Sequence, residues 1–323
     1  MIKRARFLDI ATTALVGAGI IAVAWVLGEF PSEAIRRPGV SELSYGLPVF
    51  LLLFVLFSGL ERIIPAVPHK PLEAWLLNLR IGFLYTLAGI ASGLLYAFVL
   101  PNLSQRFNLG LIDLRLHGAG LMGLIGAQLL GIVIGDFFFY WFHRLEHKSA
   151  ILWQEHKVHH MDEHVNAGTA LRVHWITPFV QTLLQAVPMM ILFKLDDVDP
   201  IKQAKLLGVL GFLVAIIPQA LNVFIHSNIK IGFGRLGFIL GSPQLHRIHH
   251  SRLPEHRDRN FATTFMLWDV LFGTYCPARA GEFPPTGVQD ETEVRSLGEA
   301  ALLPLRGWLR MFRDWRRGGS VPA

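Results

Sequence analysis

Residues 118–160 read GAGLMGLIGAQLLGIVIGDFFFYWFHRLEHKSAILWQEHKVHH, and this stretch decides the fold. From Gly118 to Trp141 the only charged side chain is Asp136. At about 1.5 Å per residue, roughly 20 such residues cross the hydrocarbon of a bilayer. The stretch therefore predicts a spanning helix. Neither Gly nor Pro interrupts its continuation through His143-Arg-Leu-Glu-His147. Residues i and i+4 share a helical face, so both imidazoles can reach one metal ion. A second cluster follows, His156-Lys-Val-His159-His160, and a third lies far downstream, His246-Arg-Ile-His249-His250. In each triplet the i and i+3 residues share a face and the i+4 residue is one step around it.

Outward from this stretch, five further apolar runs read as spans: Ile10 to Gly28, Gly46 to Ile64, Ile81 to Leu100, Ile176 to Phe193 and Leu206 to Ile225. Gln181, Gln185 and Pro188 in the fifth span, and Pro218, Gln219 and Asn222 in the sixth, suggest helices packed against protein. The first run, behind Lys3, Arg4 and Arg6, reads as a retained signal-anchor rather than a cleaved signal. Those cations place the leader in the cytoplasm, and counting spans returns the loop with Arg144, Lys148, Lys157 and Arg172 to the same side. Asp196, Asp197 and Asp199 fall outside. The chain thus reads as all-α, a multi-pass transmembrane helical bundle with a histidine-rich di-metal cap on the cytoplasmic side. Its expected division is 1–117, N-terminal spans; 118–280, catalytic region; and 281–323, a loop and basic amphipathic tail. In that tail Leu305, Trp308, Leu309, Phe312 and Trp315 recur at helical spacing among Arg306, Arg310, Arg313, Arg316 and Arg317, a pattern that suits an anionic membrane surface.

Composition agrees. Of 323 residues 52% are hydrophobic and 17% charged, against about 25% charged in an average soluble domain. Mean hydropathy is +0.42. A single cysteine, Cys276, excludes an intramolecular disulfide, a CxxC pair and an iron–sulfur site. The net charge of +6 comes with no nucleic-acid motif, so no nucleic-acid partner is expected. Twelve of the 14 histidines fall between His143 and His256. Neutral imidazole suits iron, copper, nickel and zinc, and eight imidazoles in three boxes are too many for one ion. An isolated HxxxH is usually an interfacial pair; three boxes assigned to one membrane face are not explained by packing.

The set resembles the fatty acid hydroxylase superfamily, also called the sterol desaturase family, integral-membrane di-iron oxygenases. HxxxH is followed by HxxHH after 8 residues and by a second HxxHH after 85 more. Asp136 to His147 is similar to the family's D-x3-Y-x2-HR-x2-H pattern. So are Asn166, Thr169, Ala170, Arg172 and His174; His226-Ser227-Asn228; Ser242-Pro243; and Asp258 to Thr274 with its WDVLFGT run. Where the family often carries His-Pro, this chain has His174-Trp175. The resemblance spans Asp136 to Tyr275 and implies His143, His147, His156, His159, His160, His246, His249 and His250 as ligands of two iron ions. His226 is a ninth candidate, the alternative being a capping histidine, and His174 a further one. Asp136, in an apolar span, is expected to accept from an imidazole N–H or to pair with Arg144 or Arg172. Glu146 and Glu155 are either partners of ligands or solvated. Asp269 is expected to fix the WDVLFGT segment, and His164 and His256 to lie outside the ligand set.

The resemblance implies an oxygenase that hydroxylates an unactivated C–H of a lipid with dioxygen and two external electrons. The electron donor would be a separate protein or small reductant, because the chain has no dinucleotide fingerprint, cysteine cluster or haem segment. A desaturase or an alkylglycerol-ether monooxygenase would use the same scaffold. A divalent-metal transporter would place ligands at the bilayer midplane, and a catalytically dead homologue would have lost some.

Overall fold

The computed structural model of the chain describes residues 40–68, 72–112, 121–194 and 217–318. The expected first span, the Asp196–Asp199 loop, residues 206–216 of the sixth span, His69 and His117 lie outside them. The described residues are helical, with isolated β-bridges such as Leu240–Phe265 and no extended strand. In chain order the helices are α1 (Val40–Ile63), α2 (Leu72–Phe107), α3 (Leu121–Lys148), α4 (Ala150–His160), α5 (Thr177–Leu192), α6 (217–226), α7 (Pro243–His249), α8 (Leu267–Leu271) and α9 (Leu297–Arg316).

The second to fifth expected spans fall on α1, α2, α3 and α5, and α6 carries the end of the sixth. By length and composition, α2 is long and apolar enough to cross a membrane, and only 6% of its apolar window is buried. Phe83, Leu94 and Phe98 project from it into the open, as side chains facing lipid do.

Local chemistry explains where the chain breaks. Helix α3 carries both histidines of the first box and ends at Lys148. The Ser149 side chain then accepts from Leu152 N–H and starts α4, which carries the second box. Ser242 caps α7 in the same way, with Pro243 in the first turn, and α7 carries the third box as far as His249.

The buried apolar side chains form three small cores, each beneath a histidine-bearing element. Leu77 and Ile81 of α2 meet Val158 of α4 and Val294 and Ala300. Phe54 of α1 and Trp75 of α2 meet Ala167, Ala170 and Val223 of α6. Tyr140 of α3 meets Leu245 of α7 with Phe261, Ala262 and Met266. The molecule is thus packed as a protein at one end of its long helices. Ser92 and Tyr96 tie α2 to the start of α5 through the Pro178 and Phe179 carbonyls.

The region from Ala280 to Ala301 reads as loop in the sequence, and its last part differs. Helix α9 begins at Leu297. Ser296 Oγ accepts from Glu299 N–H, and the Glu299 carboxylate reaches back to Arg295 N–H.

Candidate metal centre

Nine imidazoles converge. His143, His147, His156, His160 and His249 form one group, and His159, His226, His246 and His250 form another. Within each group one nitrogen per ring lies within 4.8 Å of all the others. The groups cut across the sequence boxes: the second box sends His156 and His160 to one and His159 to the other, and the third box divides likewise. His226, at the end of α6, sits 3.0 Å from His159 and 2.8 Å from His246, measured between Nε2 atoms.

The outer nitrogens define the inner ones. A carbonyl oxygen can only accept, so an Nδ1 against a carbonyl carries the proton and leaves Nε2 as a lone pair. His143 Nδ1 donates to Phe261 O at 2.6 Å, His226 Nδ1 to Asn222 O at 2.7 Å and His249 Nδ1 to Arg259 O at 2.8 Å. His159 Nδ1 donates to Arg172 O at 3.3 Å. Two carboxyl groups lie near the outer nitrogens of other rings: Glu146 Oε1 is 3.3 Å from His156 Nδ1, and Asp258 Oδ1 is 3.5 Å from His147 Nδ1. The inner Nε2 atoms then face one another at 3.1 Å for His143–His156, His147–His160 and His156–His160. His249 Nε2 is buried and has no hydrogen-bond partner.

Facing lone pairs repel unless a cation lies among them. A proton is a poor candidate. Burial, followed by the neighbouring imidazoles, holds His143, His147, His156, His159, His160, His246 and His250 well below the ordinary imidazole range. Burial likewise lowers His226 to about 4 and His249 to about 3. Neutral, pre-oriented nitrogen donors in two groups fit two metal ions.

The other expected residues fall as follows. Asp136 has partners other than those expected. Its carboxylate accepts from the Thr264 and Phe265 N–H groups (3.3 and 3.0 Å) and from the Trp268 indole (2.9 Å), the fixed donors nearest to it, and so pins the chain after Phe261. Arg144 donates to Tyr140 OH instead. Arg172 is fully buried and donates to Val158 O, Asn78 Oδ1 and Glu293, while its carbonyl orients His159. Asp269 accepts from the Phe261 and Ala262 N–H groups and the Thr274 hydroxyl. Since Phe261 O holds His143, Asp269 acts on that ring through one peptide. His174 stands in neither group, because Ala301 O takes its Nε2 and Ile176 N–H its Nδ1. His164 and His256 are also outside both groups: His164 Nδ1 meets Glu163 O, and His256 meets Ser251 and Glu282.

Glu146 and Glu155 are both buried, not solvated. Their carboxyls hydrogen-bond each other, and Thr177 donates to Glu155. Burial pushes Glu146 well above the carboxylate range and Glu155 up to about 7.

Sequence reasoning placed Asp258 in the family-like segment without assigning it to His147, and it did not find the carbonyls of Asn222, Arg259 and Phe261. A carbonyl leaves no mark in a sequence. It also missed Glu61, at the end of the second apolar run, whose carboxylate accepts from the Ala167 and Asn228 N–H groups and joins α1 to the segments after the second box and α6. A carboxylate in an apolar run was the available signal.

A helical body that gathers nine imidazoles into two groups able to hold metal defines a class, helical proteins with a histidine-rich candidate metal site. The comparison with known families is more particular: residues 128–274 match the fatty acid hydroxylase family. Three similar proteins indicate its range. An alkylglycerol monooxygenase of Danio rerio is 37% identical over 149 residues, 46% of this chain and 29% of that protein. An alkylglycerol monooxygenase of Homo sapiens is 34% identical over 46% of this chain and 30% of its own. The ornithine lipid hydroxylase OlsE of Rhizobium tropici is 29% identical over 46% of this chain and 41% of its own. The chain thus spans less than half the length of these relatives. No solved structure matches it.

Proposed function

We propose that the protein is a membrane-bound di-iron oxygenase that hydroxylates an unactivated C–H of a lipid, with dioxygen and electrons from a separate donor. The observation that carries this reading is the two groups of converging imidazoles, in which His143, His159, His226 and His249 are held Nε2-inward by Nδ1 bonds to backbone carbonyls. His143, His147, His156, His160 and His249 would hold one ion, and His159, His226, His246 and His250 the other. Iron bound there would supply the activation of dioxygen and the oxidising power for C–H cleavage.

The chain's own contribution is binding, orientation and exclusion of water. A cleft of about 370 Å³ opens between α3 and α5, lined by Gly135, Phe138, Thr182, Gln185, Ala186 and Met189. Phe138 lies five residues before His143, about 7.5 Å along the axis. An apolar chain fits this cleft, and Gln185 Nε2, buried without a partner, is left to donate to an oxygen of the lipid. Phe139 lies beside His143, with ring centroids 5.6 Å apart, and helps keep water from that side.

The multi-pass arrangement, with the histidines at the cytoplasmic surface, belongs to the same proposal. So does the division into N-terminal spans, a catalytic region from 118 to 280 and a C-terminal tail. An alkylglycerol-ether monooxygenase is the second reading, favoured by the names of the relatives at 34–37% identity. It is a special case of the first, since oxygen insertion beside an ether oxygen releases the ether.

The test is lipid analysis of cells with and without the protein, together with iron content of the purified chain. Two irons per chain and a lipid that gains one oxygen atom are expected. Loss of two hydrogens would turn the reading to desaturation. Histidine-dependent metal flux into vesicles without lipid oxidation would overturn it in favour of a transporter.

A further inference from the structure

Helix α9 has three faces, and only one is explained by the fold. Ala300, Pro304 and Gly307 are buried against the body. Gly307 sits so close to α4 that a Cβ would meet the Gln154 side chain, and Trp308 Nε1 donates to Ile151 O at 2.8 Å. Trp175 and His174 hold the Ala301 carbonyl. This inner face is committed to α4, which carries the second histidine box.

The second face is apolar and open. Leu302, Leu305, Leu309, Phe312 and Trp315 are all exposed, Leu309 by 68% and Trp315 by 61%. At about 100° per residue they fall within an arc of about 140°. Water does not favour such a row, and a soluble surface seldom carries one. The third face is basic: Arg306, Arg310, Arg313 and Arg317 lie along one edge of the apolar row, and Arg316 stacks over Phe312 at 5.8 Å. Glu299 and Asp314 are the acidic residues of the helix.

We propose that α9 docks on an anionic bilayer, with the Leu302–Trp315 row among the acyl chains and the arginines among the headgroup phosphates. Two observations choose a bilayer over a protein groove. One is the charge of the basic edge, which complements an anionic surface. The other is position: Ala300 packs with Leu77 and Ile81 of α2, where that helix enters its exposed apolar run. Helix α9 therefore lies at the depth where a spanning α2 would leave the hydrocarbon. This rests on the membrane part of the proposed function and not on its oxygenase chemistry.

The experiment uses the full chain with Cys276→Ser and a nitroxide on Leu309→Cys or, as a reference, on Phe98→Cys of α2. Each is placed in nanodiscs of phosphatidylcholine, or of phosphatidylcholine with about one third phosphatidylglycerol. Exposure of the label to oxygen and to a polar nickel chelate is then read. Position 98 should be oxygen-exposed in both lipids. Position 309 should be so in the anionic discs, and Arg306→Gln, Arg310→Gln, Arg313→Gln and Arg317→Gln together should lower its embedded fraction at least about tenfold. A position 309 open to the chelate in both lipids, with position 98 embedded, overturns the docking and leaves the membrane reading standing. A label at 309 shielded from both probes regardless of lipid charge also overturns it, since a second protein surface would then cover the face. If position 98 is open to the chelate, the membrane reading itself fails.

Discussion

Each imidazole of the cluster is useful because of what its far nitrogen touches. His143, His159, His226 and His249 are fixed by backbone carbonyls, which cannot titrate, so these rings keep one tautomer. His159→Ala and His249→Ala remove one donor from different groups. Each should cost about one iron per chain and abolish lipid oxidation, while the protein still inserts in membranes; elemental analysis of the purified variants checks the first point. Two irons retained with full activity would refute the ligand assignment. Asp269 is a separate case, because it touches no imidazole. Asp269→Ala strands the Phe261 and Ala262 N–H groups and loosens the carbonyl that holds His143. Iron affinity should fall by about 10–100-fold, the usual effect of removing an outer partner of a metal ligand, as read by competition with a chelator.

Elements carry the histidines, and their packing leaves little slack. Gly241 precedes the cap of α7, and a Cβ there would strike the Thr263 carbonyl, a backbone atom that Asp136 and Asp269 hold in place from either side. Gly241→Ala should therefore destabilise the protein by about 1–3 kcal/mol and lower its iron content, as thermal unfolding and elemental analysis would show. Most of these elements were legible in the sequence. The run from Gly118 to His147 predicted one helix through the first box, and α3 is that helix. The second and third boxes do lie on or at the ends of helices α4 and α7, but the i and i+4 rings join one group and the i+3 ring, expected to share a face with i, joins the other. The partition of the nine rings was not legible. Helical spacing says that His156, His159 and His160 lie near one another, but which rings oppose them depends on how α3, α6 and α7 cross. Asp136 was misread for a related reason. Its position on α3, seven residues before His143, pointed to the imidazoles, whereas the loop that folds over it offered three nearer donors. The start of α9 had an available signal in Ser296, whose hydroxyl caps the helix by accepting from Glu299 N–H within a stretch otherwise rich in turn residues.

At the scale of the whole molecule, the centre and the bilayer are joined by helix length. Helix α2 spans about 54 Å and α3 about 42 Å, and both bring their buried, polar ends to the histidines. The two groups draw their rings from α3, α4, α6 and α7, so the ions would also fasten these helices together. Removing iron should lower the midpoint of thermal unfolding by an amount on the order of 10 °C, since a ligand present at a thousandfold its Kd contributes about 4 kcal/mol. An unchanged midpoint after complete chelation would mean that the cluster is held without metal. The long helices also fix an orientation that labelling can read. Thr177 starts α5 beside Glu155, while Lys194, just beyond the other end, donates its N–H to Ile112 O. About 24 Å of helix separates these ends. If the histidine end faces the cytoplasm, a Cys276→Ser chain with Glu255→Cys should react with an impermeant maleimide only after the cells are opened, because Glu255 is exposed on the segment that follows the third box. The same chain with Lys194→Cys should react in intact cells. Reaction of both from the same side would show that α5 does not cross the membrane, and the multi-pass arrangement would have to be redrawn with α5 lying against the protein.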